Sequence, residues 1–411
     1  MSHDGSVKPQ VIVIGGGTIG CAITYYLAKS GVDVQLLERN TIGSGNTSLA
    51  ASLLTKIRSN PSMIPLVEET YRAMDCLKAE IESDLDIQKV GSLHLAASDT
   101  SLSALDKMIS IANEFKIAHT NLNNSEIKSL VPWLKTDEII KACFMPDDAF
   151  TDAYVLTNAF ALAAKKRGAS IQQYTNVESL ITEDGNVKGV RTEKEDIYSD
   201  FVIDAAGAWS NLLSLQAGIG LPMTPVRSNY WITSGDPELF PRNQPIVILP
   251  DASAYTRPES GALLFGLRES KSVHFDPRNL PEDLTGHVFG DPEDRWNILI
   301  EQGDRFQRFF PKFDEIQIQH YIAGLSTYTP DGLFVLGGLP ETKGFLAATG
   351  CSGAGVAVSG GMGRIITEMV LGQTTFCDVE PFKINRFGNI DPLSHEFRQS
   401  CADARSNKKS G

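Results

Sequence analysis

Three glycines carry the first chemical signal. The run Gly15-Gly16-Gly17-Thr18-Ile19-Gly20 has the spacing G-x-G-x-x-G. In that spacing the first glycine permits a tight turn, the second lets the backbone approach a pyrophosphate, and the third lets a helix lie close to a strand. Glu38, about 20 residues on, can accept hydrogen bonds from ribose hydroxyls. A second set of side chains could hold a carboxylate: Lys56, Arg58, Arg227, Arg257 and Arg268. The arginines suit this best, because their planar fork donates two parallel hydrogen bonds. Tyr255 and Arg257 stand two apart and so share one face of a strand. His274 and His320 read as satisfied or exposed histidines, and Asp331, in Thr329-Pro330-Asp331-Gly332, as a turn former. No side chain is assigned as a catalytic base. The six cysteines (Cys21, Cys76, Cys143, Cys351, Cys377 and Cys401) are scattered without a CxxC pair. That pattern argues against a disulfide framework and against a metal site, and fits reduced thiols in a cytoplasmic protein.

These residues need elements to hold them. Val11 to Ile14 is a continuous apolar run, as expected of a strand buried on both faces of a parallel sheet. A helix pattern from Cys21 to Ser30 ends at Gly31, and Val32 to Leu37 alternates into Glu38. Strand, glycines, helix, strand and acid in that order within about 30 residues mark a dinucleotide site. Beyond Glu38 the chain does not proceed to the next helix and strand of a nicotinamide domain. Arg39 leads instead into a small-residue segment through Ser48 and Ser52, which suits a loop against a bulky flavin. Phe201 to Asp204 reads as a strand ending in the turn Ala205-Ala206-Gly207-Ala208-Trp209. Gly344 to Thr349 is another strand, and Gly350-Cys351-Ser352-Gly353-Ala354-Gly355-Val356 opens a long helix to about Gly372. The N-terminus of that helix could stabilise negative charge on a reduced ring. Segments 63–82 and 102–116 read as amphipathic helices. Tyr230–Thr233, Pro245–Leu249, Ala262–Leu267 and Glu315–Ile322 read as strands. Leu336-Gly337-Gly338-Leu339 is too short to be a second nucleotide fingerprint, so no NAD(P)H site is expected.

Composition narrows the classes. The 411 residues hold 37 Lys and Arg against 50 Asp and Glu, a net charge of −13 without a basic block. That balance argues against nucleic acid or an anionic membrane as partner. Met1 to Gln10 is polar and lacks a signal-peptide core, and no apolar run reaches the roughly 18 residues that span a bilayer. The end, 401–411, reads as a polar frayed tail.

Taken together, these motifs resemble the D-amino-acid oxidase superfamily of FAD-dependent amine oxidoreductases, in its glycine and sarcosine oxidase branch. The resemblance covers nearly the whole chain: the glycine fingerprint, the Val202 to Ser210 segment, Tyr255-Thr256-Arg257-Pro258, Tyr328 to Gly332, and the late glycine turn. Gly350 to Gly355, read GCSGAG, is similar to β subunits of heteromeric dehydrogenases. Those include octopine and nopaline (opine) oxidases, hydroxyproline dehydrogenase and hydrogen cyanide synthase.

The resemblance implies an α/β fold: a Rossmann-type FAD domain from 6–85, 145–220 and 325–380, interleaved with a smaller mixed-sheet substrate domain from 86–144 and 221–324. It implies FAD along Gly15, Gly17, Thr18, Ile19 and Gly20, with its adenine end near Glu38, Arg39 and Val177. Ala206, Gly207 and Trp209 join that set, and the ring lies near Ser48, Ser52, Gly353, Ala354, Gly355 and Val356. Tyr255 with Arg257, and Arg58 with Lys56, would meet the substrate; Tyr230 is a weaker candidate. Three departures matter. Ser326 stands where glycine oxidases carry a carboxylate-binding Arg. No flavin-linking Cys precedes the Thr329 turn, so FAD is expected to be noncovalent. The segment Leu263 to Gly266 lacks an oxygen-activating Lys, so O2 is expected to be a poor acceptor. The implied activity is oxidation of a secondary amino acid, an opine or a hydroxyproline-like compound. Hydride passes to flavin, the imine hydrolyses, and electrons leave to a partner subunit; any FMN or iron–sulfur group would lie at that interface. The alternatives are a stand-alone oxidase producing H2O2 and a FAD-stabilised scaffold subunit.

Overall fold

A computed structural model describes residues 10–284, 286–287, 289 and 293–408. Val11–Ile14 is fully buried, as its β-branched run requires, and lies between two parallel neighbours: Val11 is in register with Phe201 on one side and Val34 on the other. These three strands are the middle of a six-stranded sheet. Its order is Val335–Leu339, Thr342–Thr349, Phe201–Asp204, Val11–Ile14, Val34–Leu37 and Ser170–Gln172. Only Val335–Leu339 pairs antiparallel. The helices Thr18–Lys29, Ile64–Ile81, Ala153–Lys166 and Gly355–Val370 pack against one another, burying Tyr25, Leu27, Phe160, Met362 and Ile366 in one apolar cluster. Gly363 brings the last of these helices close to the first: a Cβ there would stand 2.9 Å from the Ala22 carbonyl oxygen.

The second sheet has eight strands in the order Ile318–Tyr328, Thr224–Thr233, Ala262–Leu267, Ala254–Glu259, Ile246–Leu249, Ser92–Ala96, Lys141–Met145 and Thr120–Asn121. All pairs are antiparallel except Ile246–Leu249 with Ser92–Ala96. Aromatic side chains fill one side: Trp231 stacks on Phe265 at 5.5 Å between centroids, and Phe306 and Phe310 from the helix Asp294–Gln307 and its end close the cluster. The two sheets make a mixed α/β fold. The helices expected at 63–82 and 102–116 are found at Ile64–Ile81 and Asp99–Glu114. The strand expected at 315–322 runs instead from Ile318 to Tyr328, because its pairing with Thr224–Thr233 continues to the Thr224–Tyr328 register.

The end of the chain departs from expectation. Residues 395–406 form a helix, not a frayed tail. Ser394 caps it by accepting a hydrogen bond from the Phe397 N–H, and Cys401 and Ala402 are fully buried against Val226 and Tyr328. The inner face of this helix carries Phe397, Cys401, Ala402 and the buried Arg405, while Glu396 and Asp403 are exposed. Residues 409–411 lie outside the described residues. Among the described residues no helix is long and apolar enough to cross a membrane.

Candidate functional site

The glycine turn is built as its spacing demands. Gly15 has φ +103°, and a Cβ there would stand 2.5 Å from the Ala205 carbonyl oxygen, so no side chain fits. A methyl on Gly20 would press into the carbonyl of Gly15, so the missing side chain is what lets helix Thr18–Lys29 meet the strand. Gly17 differs: its φ is −72°, and the one protein atom near a methyl placed on it would be Thr47 Oγ1 at 3.2 Å. The backbone there is bare toward a cavity of about 590 Å³. The Thr18 N–H donates to Thr47 Oγ1 at 3.1 Å, while the buried Thr18 hydroxyl has no partner among the described residues.

Glu38 is held in place by backbone. Its Oε2 accepts from the Gly16 N–H at 2.6 Å and its Oε1 from the Asn40 N–H at 2.8 Å. Each oxygen keeps a lone pair for a ribose hydroxyl. The Arg39 guanidinium stacks 3.8 Å from the centre of the Trp209 ring. On the opposite side of the turn Asp204, fully buried, accepts from the Ala206 N–H and the Ser210 hydroxyl, which shapes the Ala205–Trp209 corner. Burial pushes its carboxyl up to about 7, against those two hydrogen bonds.

The same cavity is lined by Gly15, Gly17, Thr18, Ile19, Glu38, Arg39, Ser52, Val177, Ala206, Gly207, Trp209, Gly353, Ala354, Gly355 and Val356. A bare glycine, an unpartnered hydroxyl, a helix N-terminus and a fixed acid fit the pyrophosphate and ribose of FAD. Two expected cofactor contacts are displaced. Gly20 lies beneath the turn, away from the cavity wall. Ser48 turns its hydroxyl back to the carbonyls of Ser44 and Gly45, because the short turn Asn46–Leu49 points Thr47 and Leu49 inward instead.

Of the residues expected at the substrate, Arg58, Tyr230, Tyr255 and Arg268 line the cavity. Tyr255 lies across Gly266 of the neighbouring strand, where a Cβ would collide with its ring. Arg268 is 8% exposed, and its buried Nη2 has no hydrogen-bond partner among the described residues. Burial lowers its guanidinium to about 10, so it stays charged at neutral pH. Arg58 is 5% exposed and faces Asp148. Asp148 itself accepts from the Lys56 N–H at 2.8 Å and the Ser92 hydroxyl at 2.6 Å, and Ser92 Oγ lies 2.9 Å from His94 Nε2. Burial favours the neutral form of both groups: Asp148 rises to about 6 and His94 falls to about 4.

Arg257 and Lys56 do not reach the cavity. The Arg257 guanidinium donates to the carbonyls of Ala51 and Pro258, both at 2.9 Å, and pairs with Glu259 at 2.6 Å over the Phe150 ring. Although it shares a strand face with Tyr255, it lies about 7 Å further along, beyond the cavity wall. Lys56 pairs with Asp147 at 3.2 Å. Arg227 is buried between Glu269 and Asp294. His320 is exposed, His274 packs on His395, and Asp331 holds Arg386 and its own turn. Ser326, the serine expected in place of an arginine, lines the cavity.

Three contributors are not foreseen from the sequence. Tyr328, Arg405 and Lys408 all line this end. Arg405 donates to Ser272 at 2.9 Å and faces Glu269 at 3.6 Å, and Lys408 Nζ donates to the Ser352 carbonyl at 3.0 Å. The amphipathic pattern of the last helix is the signal that could have found Arg405 and, just beyond it, Lys408; Tyr328 instead ends the strand Ile318–Tyr328. Cys351 also reaches the cavity; burial pushes its thiol up to about 12, so it holds almost no thiolate near pH 7. No group of three or more His, Cys, Asp or Glu among the described residues could hold a metal.

Known proteins resemble the chain over most of its length. Residues 10–369 match the family described as FAD dependent oxidoreductase. The chain is 27% identical over 388 residues to mitochondrial sarcosine dehydrogenase of Homo sapiens, covering 92% of this chain and 41% of that protein. It is 26% identical to glycine oxidase of Geobacillus kaustophilus, covering 92% and 97% of the two chains. Among solved structures, L-proline dehydrogenase from P. horikoshii superposes with a TM-score of 0.81 at 27% identity, covering 92% and 98% of the two chains. The chain thus spans under half the length of the sarcosine dehydrogenase it matches.

Proposed function

The chain belongs to the family of FAD-dependent oxidoreductases, and from that premise we propose that it oxidises a secondary amino acid, an opine such as octopine or nopaline or a hydroxyproline-like compound. The observation that carries this reading is one cavity lined both by the pyrophosphate-type glycine turn and by a cation-rich, tyrosine-walled end. Bound FAD supplies a two-electron acceptor for the hydride on the substrate's α-carbon. The protein's part is to hold and orient that C–H bond. Arg268 takes a carboxylate in a bidentate fork, and Tyr230, Tyr255 and Tyr328 wall the amine-bearing carbon.

The transferred hydride must leave a neutral amine, because an ammonium has no lone pair to stabilise the forming imine. Arg58, Arg268 and Arg405 at one end of the cavity oppose a further positive charge, as they do on the Lys408 amine, and so favour the neutral amine of bound substrate. Burial holds the Tyr255 and Tyr230 phenols protonated, so neither serves as a base near pH 7. The imine hydrolyses in water. Leu263, Leu264 and Phe265, in the strand where the resembled oxidases carry a lysine, are fully buried apolar side chains, which supports delivery of the electrons to a partner subunit instead of to O2. Any FMN or iron–sulfur group would then belong at that interface. Anaerobic mixing of the holoprotein with octopine, nopaline, hydroxyproline, sarcosine and glycine tests the reading. A secondary amino acid should bleach the flavin; rapid reoxidation by air would assign a stand-alone oxidase instead.

A further inference from the structure

Charge is divided unevenly within the cavity. The acids Glu38, Glu282 and Asp283 gather around Arg39, at the nucleotide end. The other end collects Arg58, Arg268, Arg405 and Lys408. Their partners account for only part of that charge. Arg58 faces Asp148, and Arg405 shares the buried Glu269 with Arg227, which also holds Asp294. Among the described residues Arg268 pairs with no acid, and its buried Nη2 meets no acceptor. Lys408 likewise pairs with no described acid. Its Nζ donates to the Ser352 carbonyl and sits where a Cβ on Gly353 would be 3.5 Å away, beside the Tyr328 hydroxyl. A guanidinium does not shed its proton inside a protein, and a buried cation without a counter-charge is costly. Arg268 is therefore a fixed positive charge left for a ligand to match, while burial and the neighbouring Arg58, Arg268 and Arg405 push the Lys408 ammonium well below its usual range, so that an arriving carboxylate is what would hold its proton.

We propose that this end of the cavity reads two carboxylates: Arg268 takes one and Lys408, carried in by the residues after the last helix, takes the other, so the substrate is an amine bearing two carboxylates, an N-carboxyalkyl amino acid. The inference rests on the functional reading above and sharpens it. Within the proposed class it selects opine-type diacids over hydroxyproline, sarcosine or glycine, each of which has a single carboxylate. Ser326 fits the same arrangement, because a cation at that position would add a third unmatched charge. The role of Lys408 also gives the helix His395–Ser406 a function: its buried face against Val226 and Tyr328 fixes where the following lysine emerges.

A matched pair of amines tests it. N-(1-carboxyethyl)alanine carries two carboxylates; N-isopropylalanine replaces one of them with a methyl group and keeps the secondary amine and its α C–H. Anaerobic reduction of the holoprotein is followed at rising concentrations of each. The diacid should half-saturate at a concentration roughly 10- to 100-fold lower, the worth of one charge-assisted hydrogen bond. In Lys408→Met, with flavin content and melting temperature checked, that ratio should fall to within about threefold of one, and Lys408→Arg should restore part of it. Equal half-saturation by the two amines in the unaltered protein overturns the two-carboxylate inference while leaving amine oxidation standing. A preference that survives Lys408→Met overturns the role of Lys408. Reduction by neither amine, nor by the wider panel above, overturns the functional reading on which the inference rests.

Discussion

Gly17→Ala and Gly20→Ala should fail in opposite ways, although both alter the same motif. Gly17 has an ordinary φ of −72° and would bring its methyl no closer than 3.2 Å to any protein atom. The apoprotein should therefore tolerate Gly17→Ala, and reduced freedom of the unfolded chain would stabilise it by about 0.4–1 kcal/mol. The same methyl projects into the cavity where the backbone is bare. A pyrophosphate displaced by about 1 Å loses a charge-assisted hydrogen bond of about 1.5–3 kcal/mol, or roughly 10- to 150-fold in FAD affinity. Gly20→Ala works through the fold instead. Its methyl meets the Gly15 carbonyl, which is backbone and cannot swing aside, so the apoprotein itself should lose about 1–3 kcal/mol. The assay is titration of each apoprotein with FAD by flavin fluorescence, beside thermal melting without FAD. If Gly17→Ala binds FAD within twofold of the unaltered protein, the assignment of the bare backbone to the pyrophosphate is wrong. A melting temperature lowered as much by Gly17→Ala as by Gly20→Ala would also refute the reasoning.

Other outcomes follow from the buried groups. Arg268→Gln should raise the half-saturating amine concentration roughly 10- to 100-fold with FAD affinity little changed, measured by stopped-flow reduction; an unchanged value removes Arg268 from the site. Arg257→Ala should lower the melting temperature through loss of its bonds to Ala51, Pro258 and Glu259, costing about 1–3 kcal/mol, while half-saturation shifts less than about threefold. Asp148 and His94 make opposite demands on pH. Asp148, raised from 3.8 to about 6, contributes stability at low pH that is lost as pH rises through 6. His94, lowered from 6.5 to about 4, contributes stability above 6.5 that is lost as pH falls toward 4. The two slopes oppose each other between pH 4 and 6, so Asp148→Asn should expose the histidine's. Its stability should fall between pH 6.5 and 4 by about 2–3 kcal/mol more than that of the unaltered protein, and parallel pH profiles would count against this network. Denaturation in acid should release all flavin from the chain, since the Cys351 thiol is held protonated; flavin that stays with the precipitated protein would contradict that.

The nucleotide half of the site is legible in the sequence because its chemistry is local. Strand, glycines, helix and Glu38 are neighbours in sequence, and each glycine's role follows from one contact with a residue nearby or on the adjoining strand. Ser48 is misplaced by one residue, since a short 3-10 turn decides which of Thr47, Ser48 and Leu49 faces inward and its sequence carries no period to read. The substrate half is less legible. Side-chain alternation puts Tyr255 and Arg257 on one face but does not say how far along the strand the cavity extends. Arg268, just past the end of the partnering strand, reaches it instead. Arg405 and Lys408 come from the end of the chain, and their placement depends on Cys401 and Ala402 packing against Val226 and Tyr328. That contact joins segments far apart in sequence, and composition alone makes 401–411 look like a solvated tail.

Whether an amine reduces the flavin decides the proposed function. The holoprotein, made anaerobic, is titrated with N-(1-carboxyethyl)alanine and with octopine, nopaline and hydroxyproline while the visible flavin absorbance is recorded. A secondary amino acid should bleach the flavin with one equivalent per FAD, and an oxo acid should appear once the imine hydrolyses. A flavin that dithionite reduces but none of these amines bleaches would contradict the proposed function.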